Sequence, residues 1–257
     1  MNYKKATLES QLFNTPCMVE DTEEMFWLRN TDDYQSKISL GNALSAQYRF
    51  QDAIAAYLSA ESIRNDDPML YLRLGGACLT VLQFDAAFAA YNRSLSLEIS
   101  RKTIAYPIGI WHYLMKDYAN AAKWFVECLP CDDEMAIAVI YWHTLSYLRM
   151  HAAPSLLKEY HSGMLVGHHT AYRLAVSAMS GEKSLENAEM QTKQLQTDLD
   201  YVIAAYGISA AYACKGQIEK FRRLHEHLLL RDSVWPCVSY LAAWVDEQNL
   251  PSVHCIV

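Results

Sequence analysis

One interval constrains this chain more than any other feature. Gly41, Gly75 and Gly109 stand 34 residues apart (75 − 41 = 34; 109 − 75 = 34). The same step joins Ala53, Ala87 and Ala121. It also joins Phe50, Phe84 and Tyr118, and again Tyr57, Tyr91 and Phe125. A period held over about 100 residues means stacked copies of one unit, none of which buries its apolar face alone. Such stacks build extended surfaces more readily than reactive pockets, so the interval bears on function as well as fold.

Within each copy the apolar residues recur at i, i+3, i+4 and i+7, twice over, with a short break between the two runs. That pattern predicts two amphipathic helices per unit. The breaks fall at Gln47-Tyr48-Arg49 in the first copy and Met115-Lys116-Asp117 in the third. The glycines then lie inside helices, where glycine costs roughly 0.5–1 kcal/mol against alanine. Close passage of a second helix would offset that cost. Ala53, Ala87 and Ala121 would admit this approach, and Tyr57, Tyr91 and Phe125 would fill the wider gap one turn later.

Composition agrees with a helical reading. The chain has 257 residues, 52% hydrophobic, with only 9 Gly and 7 Pro. Its net charge of −7 argues against sequence-independent nucleic-acid binding, which draws on Lys and Arg. The longest apolar run, Met135 to Trp142, is too short to span a bilayer, and no apolar segment of leader type follows Met1 to Lys5. Seven scattered cysteines read as reduced thiols, and the expected compartment is cytoplasmic.

The residues Leu-Gly-x-x-large followed by Ala-x-x-x-aromatic, at this period, resemble the tetratricopeptide repeat (TPR) family. The resemblance covers residues 34–135 as three units. It implies an all-α, right-handed superhelical array of antiparallel helix pairs, an α-solenoid. Three departures stand out. Asn65 occupies the closing proline position, and Lys37 stands where an aromatic is usual. Pro107 falls inside the expected first helix of the third unit, so that helix is expected to start late, near Tyr106.

Residues 136–257 are expected to hold degenerate helical pairs. An apolar helix precedes Ser155–Tyr160. A helix over His169–Ser180 ends at Gly181, and a polar one runs from Ser184 to about Leu199. Tyr201–Cys214 and Gln217–Leu230 flank Gly216. Val234–Glu247 would cap the array, and Pro251 would end regular structure. Residues 1–33 form an N-terminal extension. Its segment Glu20–Leu28 mixes acids with Met25, Phe26, Trp27 and Leu28, and would either cap the array or occupy its groove.

The resemblance also implies a function. TPR proteins bind peptides or helices of partners in the concave face lined by the first helix of each unit. Counting from the glycines, the inward, partner-binding positions are Gln35, Ile38 and Asn42; Met69, Leu72, Arg73 and Leu79; and Tyr106, Ile110 and Tyr113. This mostly apolar surface with one cation suits an amphipathic or extended apolar segment. The family's carboxylate-clamp positions fall on Ile38, Asn42, Arg73, Thr103 and Pro107. Only Asn42 matches, so a clamp for a C-terminal carboxylate is not expected.

The primary expectation is therefore a non-enzymatic interaction scaffold for a protein or peptide partner, needing no cofactor and no metal, and open to homo-oligomerisation. The alternative is a chaperone resembling the TPR chaperones of type III secretion. A third reading takes Cys128-Leu-Pro-Cys131 as a redox pair or half a zinc site, against which stands the absence of a second close pair. His168-His169 and His225-Glu226-His227 read as surface histidines, and Phe221-Arg222-Arg223 with Lys215 and Lys220 as a solvated basic stretch. No phosphate loop or nucleophile elbow occurs.

Overall fold

A computed structural model describes residues 20–248, all helices and connections, with no strand among the described residues. The expectations at Met1–Lys5 and Pro251 lie outside these residues. Thirteen α-helices follow one another: α1 Glu23–Asn30, α2 Tyr34–Ala46, α3 Phe50–Ile63, α4 Pro68–Thr80, α5 Phe84–Ser96, α6 Arg101–Leu114, α7 Tyr118–Val126, α8 Asp133–Arg149, α9 Thr170–Met179, α10 Leu185–Thr192, α11 Asp198–Cys214, α12 Ile218–Leu229 and α13 Val238–Gln248. Short 3₁₀ turns cover Ser155–Glu159 and Asp232–Val234. The chain divides within α6 into two compact units, one ending at Trp111 and one beginning at His112.

In the first unit the helices pack as consecutive pairs, α2 with α3 and α4 with α5, and α3 packs in turn on α4. Side-chain caps start the first helix of each pair. Asp33 Oδ1 accepts from Ser36 N at 3.0 Å, and Asp67 Oδ1 from Met69 N at 2.8 Å, with Pro68 in the first turn. The breaks close on left-handed residues. Tyr48 has φ 63° and Leu82 φ 57°, and the next amide donates back to the carbonyl five residues earlier (Arg49 to Leu44 and Gln83 to Cys78, both 2.9 Å).

The glycines do allow a close approach, but it is made by a side chain. A Cβ on Gly41 would lie 2.3 Å from Tyr57 Cε1, and one on Gly75 would lie 2.4 Å from Tyr91 Cε1. Each tyrosine edge is thus seated on the glycine of its partner helix, and both rings are buried. Ahead of these pairs, α1 packs on α2 and buries Met25 and Leu28, while Phe26 and Trp27 stay exposed. Asp21 bridges Arg29 and Arg49, and both guanidinium groups donate to it.

Pro107 departs from expectation. The helix does not start near Tyr106; it begins at Arg101, with Pro107 inside it. A proline there removes a donor and crowds the carbonyl of Thr103. The first turn nonetheless forms, bonded from Thr103 N and Ile104 N to Ser100 O at 3.0 and 3.3 Å. Ile104 and Ala105 are fully buried, and that packing outweighs the local cost.

The second unit is built around two helices buried on every side, α8 over Ile137–Ser146 and α11 over Tyr201–Tyr212. Helix α9 packs on both, and α13 covers α11 and α12. Tyr141 donates to Ile203 O at 2.8 Å. A buried polar cluster joins α6, α8, α11 and α13. In it Arg149 pairs with Asp246, Tyr206 donates to Asp246 Oδ2 at 3.0 Å, and the hydroxyls of Tyr113 and Tyr206 lie 3.0 Å apart. The helix expected from Ser184 to about Leu199 is two pieces, because Thr197 caps a new one: its Oγ1 accepts from Asp200 N at 3.0 Å, so α11 starts at Asp198.

Candidate functional site

The sequence-derived surface uses the first helices of the pairs. On α4, residues Met69, Leu72, Arg73 and Gly76 share one stripe at i, i+3, i+4 and i+7. Met69 is exposed, and Leu72 and Arg73 are half-buried. On α2, Gln35 and Asn42 are exposed two turns apart. Tyr106, on α6, is half-buried. The structure places the other four positions in the core: Ile38, Leu79, Ile110 and Tyr113 are each 6% exposed or less. Those four hold the helices in place; only the remaining six present atoms to solvent.

The first turns of α2 and α4 are tied together. Tyr34 donates to Asp67 Oδ2 at 2.7 Å, and Arg64 stacks over the Tyr34 ring at 3.9 Å. Burial, and then the Asp67 carboxylate, push the Tyr34 hydroxyl up to about 12. Burial raises Asp67 in turn, but the Tyr34 and Met69 hydrogen bonds outweigh it and hold the carboxyl below its usual range. Asn42 Oδ1 accepts from the Tyr57 hydroxyl at 2.9 Å, which fixes the amide on the rim of the stripe. Arg73 feels the charge of Asp67 but makes no hydrogen bond or ion pair among the described residues. Beside it, a Cβ on Gly76 would meet nothing within 4 Å, so the stripe has open space next to its cation.

A second concavity of about 360 Å³ lies on the other side of α4, between α3 and α5. Ile54, Leu58, Tyr71, Leu74, Ala86 and Ala90 line it, with Glu61 and Arg93 at its polar edge. Tyr71 donates to Glu61 at 2.8 Å, and Arg93 lies over the Tyr71 ring. Sequence reading passed over this groove. Its signal was the pair Ile54 and Leu58 on the outer flank of α3, opposite the small Ala86, Ala89 and Ala90.

Among the described residues, the cysteine pair is not part of a group of three or more side chains that could hold a metal ion. Cys128 is buried and its thiol donates to Trp124 O at 3.7 Å; Cys131 is half-buried in the turn before α8. No disulfide joins the five described cysteines. His225 does not lie on the surface as expected. It is 1% exposed and bonds Ala243 O at 2.9 Å, because Phe221, Leu224, His225 and Leu228 form the inward stripe of α12. The basic stretch is paired with acids of α10: Lys220 with Glu186 and Arg223 with Glu189, each at 2.8 Å. No described helix is long and apolar enough to cross a membrane.

These features define an all-α protein whose first unit is built of consecutive helical hairpins repeating at a 34-residue step. No family model and no curated protein matches the chain in sequence. Among solved structures it is similar to the crystal structure of YrrB, titled a TPR protein with an unusual peptide-binding site. The identity is 12%, the TM-score is 0.46, and the match covers 88% of this chain and 98% of that one.

Proposed function

We propose that the chain is a non-enzymatic scaffold that binds a peptide or helical segment of a partner protein along the stripe formed by α2, α4 and the start of α6. The observation that carries this reading is Arg73, a half-buried cation without an ion pair among the described residues, beside the open space at Gly76 and the apolar groups of Met69 and Leu72. A cation so placed favours a carboxylate flanked by apolar side chains, which would satisfy its donors in a partly dry site. Gln35 and Asn42 supply polar contacts at the edge, and Tyr106 a further apolar surface.

A random-peptide phage library tests the proposal. Selection on the wild-type chain should enrich sequences with one acid between apolar residues. The acidic preference should vanish with Arg73→Ala, and binding should be lost with Leu72→Glu and Tyr106→Glu together. Enrichment unchanged by these variants refutes the choice of surface. Loss with Leu58→Glu alone transfers the site to the groove between α3 and α5, the second reading that its volume and apolar lining favour.

A further inference from the structure

Glu134, His168 and His169 come together in the second unit although the sequence separates the first from the others. Glu134 lies in the first turn of α8, and the two histidines end the loop that leads into α9. Their ligating atoms all fall within 4.8 Å of one another.

Three features show that the fold builds this cluster. The loop is anchored beside it, since Leu165 N donates to Asp133 Oδ2 at 2.8 Å. Gly167 has φ 51°, and a Cβ there would lie 2.7 Å from Glu134 Oε1; a glycine therefore lets the loop close over the carboxylate. His169 Nδ1 lies 2.6 Å from the backbone carbonyl of Glu134. A carbonyl only accepts, so Nδ1 carries the proton and, in the neutral ring, Nε2 keeps its lone pair. That second contact is how ligating imidazoles are oriented in metal sites. Glu134 Oε1 is itself buried and accepts no well-directed hydrogen bond, although His168 Nδ1 lies 2.6 Å away.

We infer that Glu134, His168 and His169 form a binding site for a divalent transition metal, of which Zn²⁺ is the best fit. Two imidazoles and one carboxylate make a mixed N/O set. Zn²⁺ takes such a set tetrahedrally at about 2.0–2.2 Å, with a fourth position left to water. Ca²⁺ and Mg²⁺ prefer oxygen alone. A simple His168–Glu134 ion pair accounts for two of the residues; it does not account for the oriented ring of His169. The His168 side chain is 83% exposed, so it can swing the distance that a common ion requires. The bound ion would clamp the loop preceding α9 to the start of α8.

Zinc titration of the full chain, stripped with chelator and followed by competition with a chromophoric indicator near neutral pH, tests the site. One equivalent should bind the wild type and raise its melting temperature. His168→Ala and Glu134→Gln should each weaken binding at least about 10-fold, since loss of a mere supporting contact to a ligand costs that much. They should also abolish the thermal shift, with circular dichroism unchanged. His161→Ala, an exposed histidine outside the cluster, should bind as the wild type does. Absence of saturable binding overturns the inference. So does equal binding by the wild type and His168→Ala, which would assign the zinc to cysteines or to other histidines.

Discussion

Gly75 and Gly76 are neighbours in α4, yet alanine should act on them with opposite signs. At Gly75 the added carbon would lie 2.4 Å from Tyr91 Cε1 and 2.6 Å from Cδ1. Carbon pairs rest at about 3.5–4.0 Å, so the overlap exceeds about 1 Å. Tyr91 is 1% exposed, and its ring has nowhere to turn without disturbing the core. Overpacking of this kind costs about 1–3 kcal/mol, while the helix gains about 0.5–1 kcal/mol from losing a glycine. The net for Gly75→Ala is a loss of up to about 2.5 kcal/mol. At Gly76 the added carbon meets nothing within 4 Å, so only the gain remains, about 0.5–1 kcal/mol.

Urea denaturation followed by far-UV circular dichroism reads both effects. With a slope of about 1–3 kcal/mol per molar urea, the two variants should straddle the wild-type midpoint and differ by up to about 1–2 M. The reasoning also demands a coupling. In a Tyr91→Leu background the obstacle is gone, so Gly75→Ala should become neutral or stabilising, and the cycle should be strongly non-additive. A Gly75→Ala midpoint at or above the wild type, or strict additivity with Tyr91→Leu, would refute the claim that the glycine exists to seat the ring.

Two further outcomes follow from the second unit. Asp246→Ala leaves Arg149 unpaired in a largely buried setting and should cost about 3–5 kcal/mol in a thermal melt, whereas Arg149→Met with Asp246→Leu should cost less than the single change. His143 is 1% exposed, and burial lowers its pKa to about 4. The folded state therefore holds it neutral while the unfolded chain, with a value of about 6.5, takes up a proton. Stability should be unaffected above about pH 6.5 and fall by up to about 1.4 kcal/mol per unit between there and about pH 4. Burial shifts His225 the same way and adds to the slope. Urea midpoints across this range should show a shallower slope for His143→Gln, and an identical slope would sink the assignment.

The regular half of the fold was legible because its signals are local and repeated. The period gave the pairing of α2 with α3 and of α4 with α5, and the breaks fell where Tyr48 and Lys116 turn the chain. What escaped is non-local. Ile38, Leu79, Ile110 and Tyr113 read as surface because the count from the glycines gives a helix face, and a face alone does not say what else packs against it. Nothing local to Pro107 tells that Ile104 and Ala105 will be buried deeply enough to hold the turn before it. The Glu134–His168–His169 cluster depends on a loop returning to a helix start 34 residues upstream (168 − 134 = 34), and no pattern within either segment announces that return.

The turns show how far the period governs the backbone. Tyr48, Leu82 and Lys116 recur at the same 34-residue step (82 − 48 = 34; 116 − 82 = 34), all with φ near 60°, where an L-residue costs roughly 1–2 kcal/mol and glycine is the ordinary choice. The first two repeats place their glycine inside the first helix instead, where the partner tyrosine needs it, and accept strain at the turn. The second unit reverses this at one site and keeps the other contact. Gly216 takes the left-handed position after α11, with Gln217 N bonded to Tyr212 O at 2.9 Å. Gly207, inside α11, seats Tyr141 of α8, whose Cε2 lies 2.6 Å from where a Cβ would stand. The glycine–tyrosine seat therefore persists after the interval that revealed it has ended. At position 143 the sequence step lands on a buried histidine, but the packing device has moved to a helix pair that is not adjacent in sequence. Close approach of two buried helices through a ring on a glycine is the requirement, and the repeat is one way of meeting it.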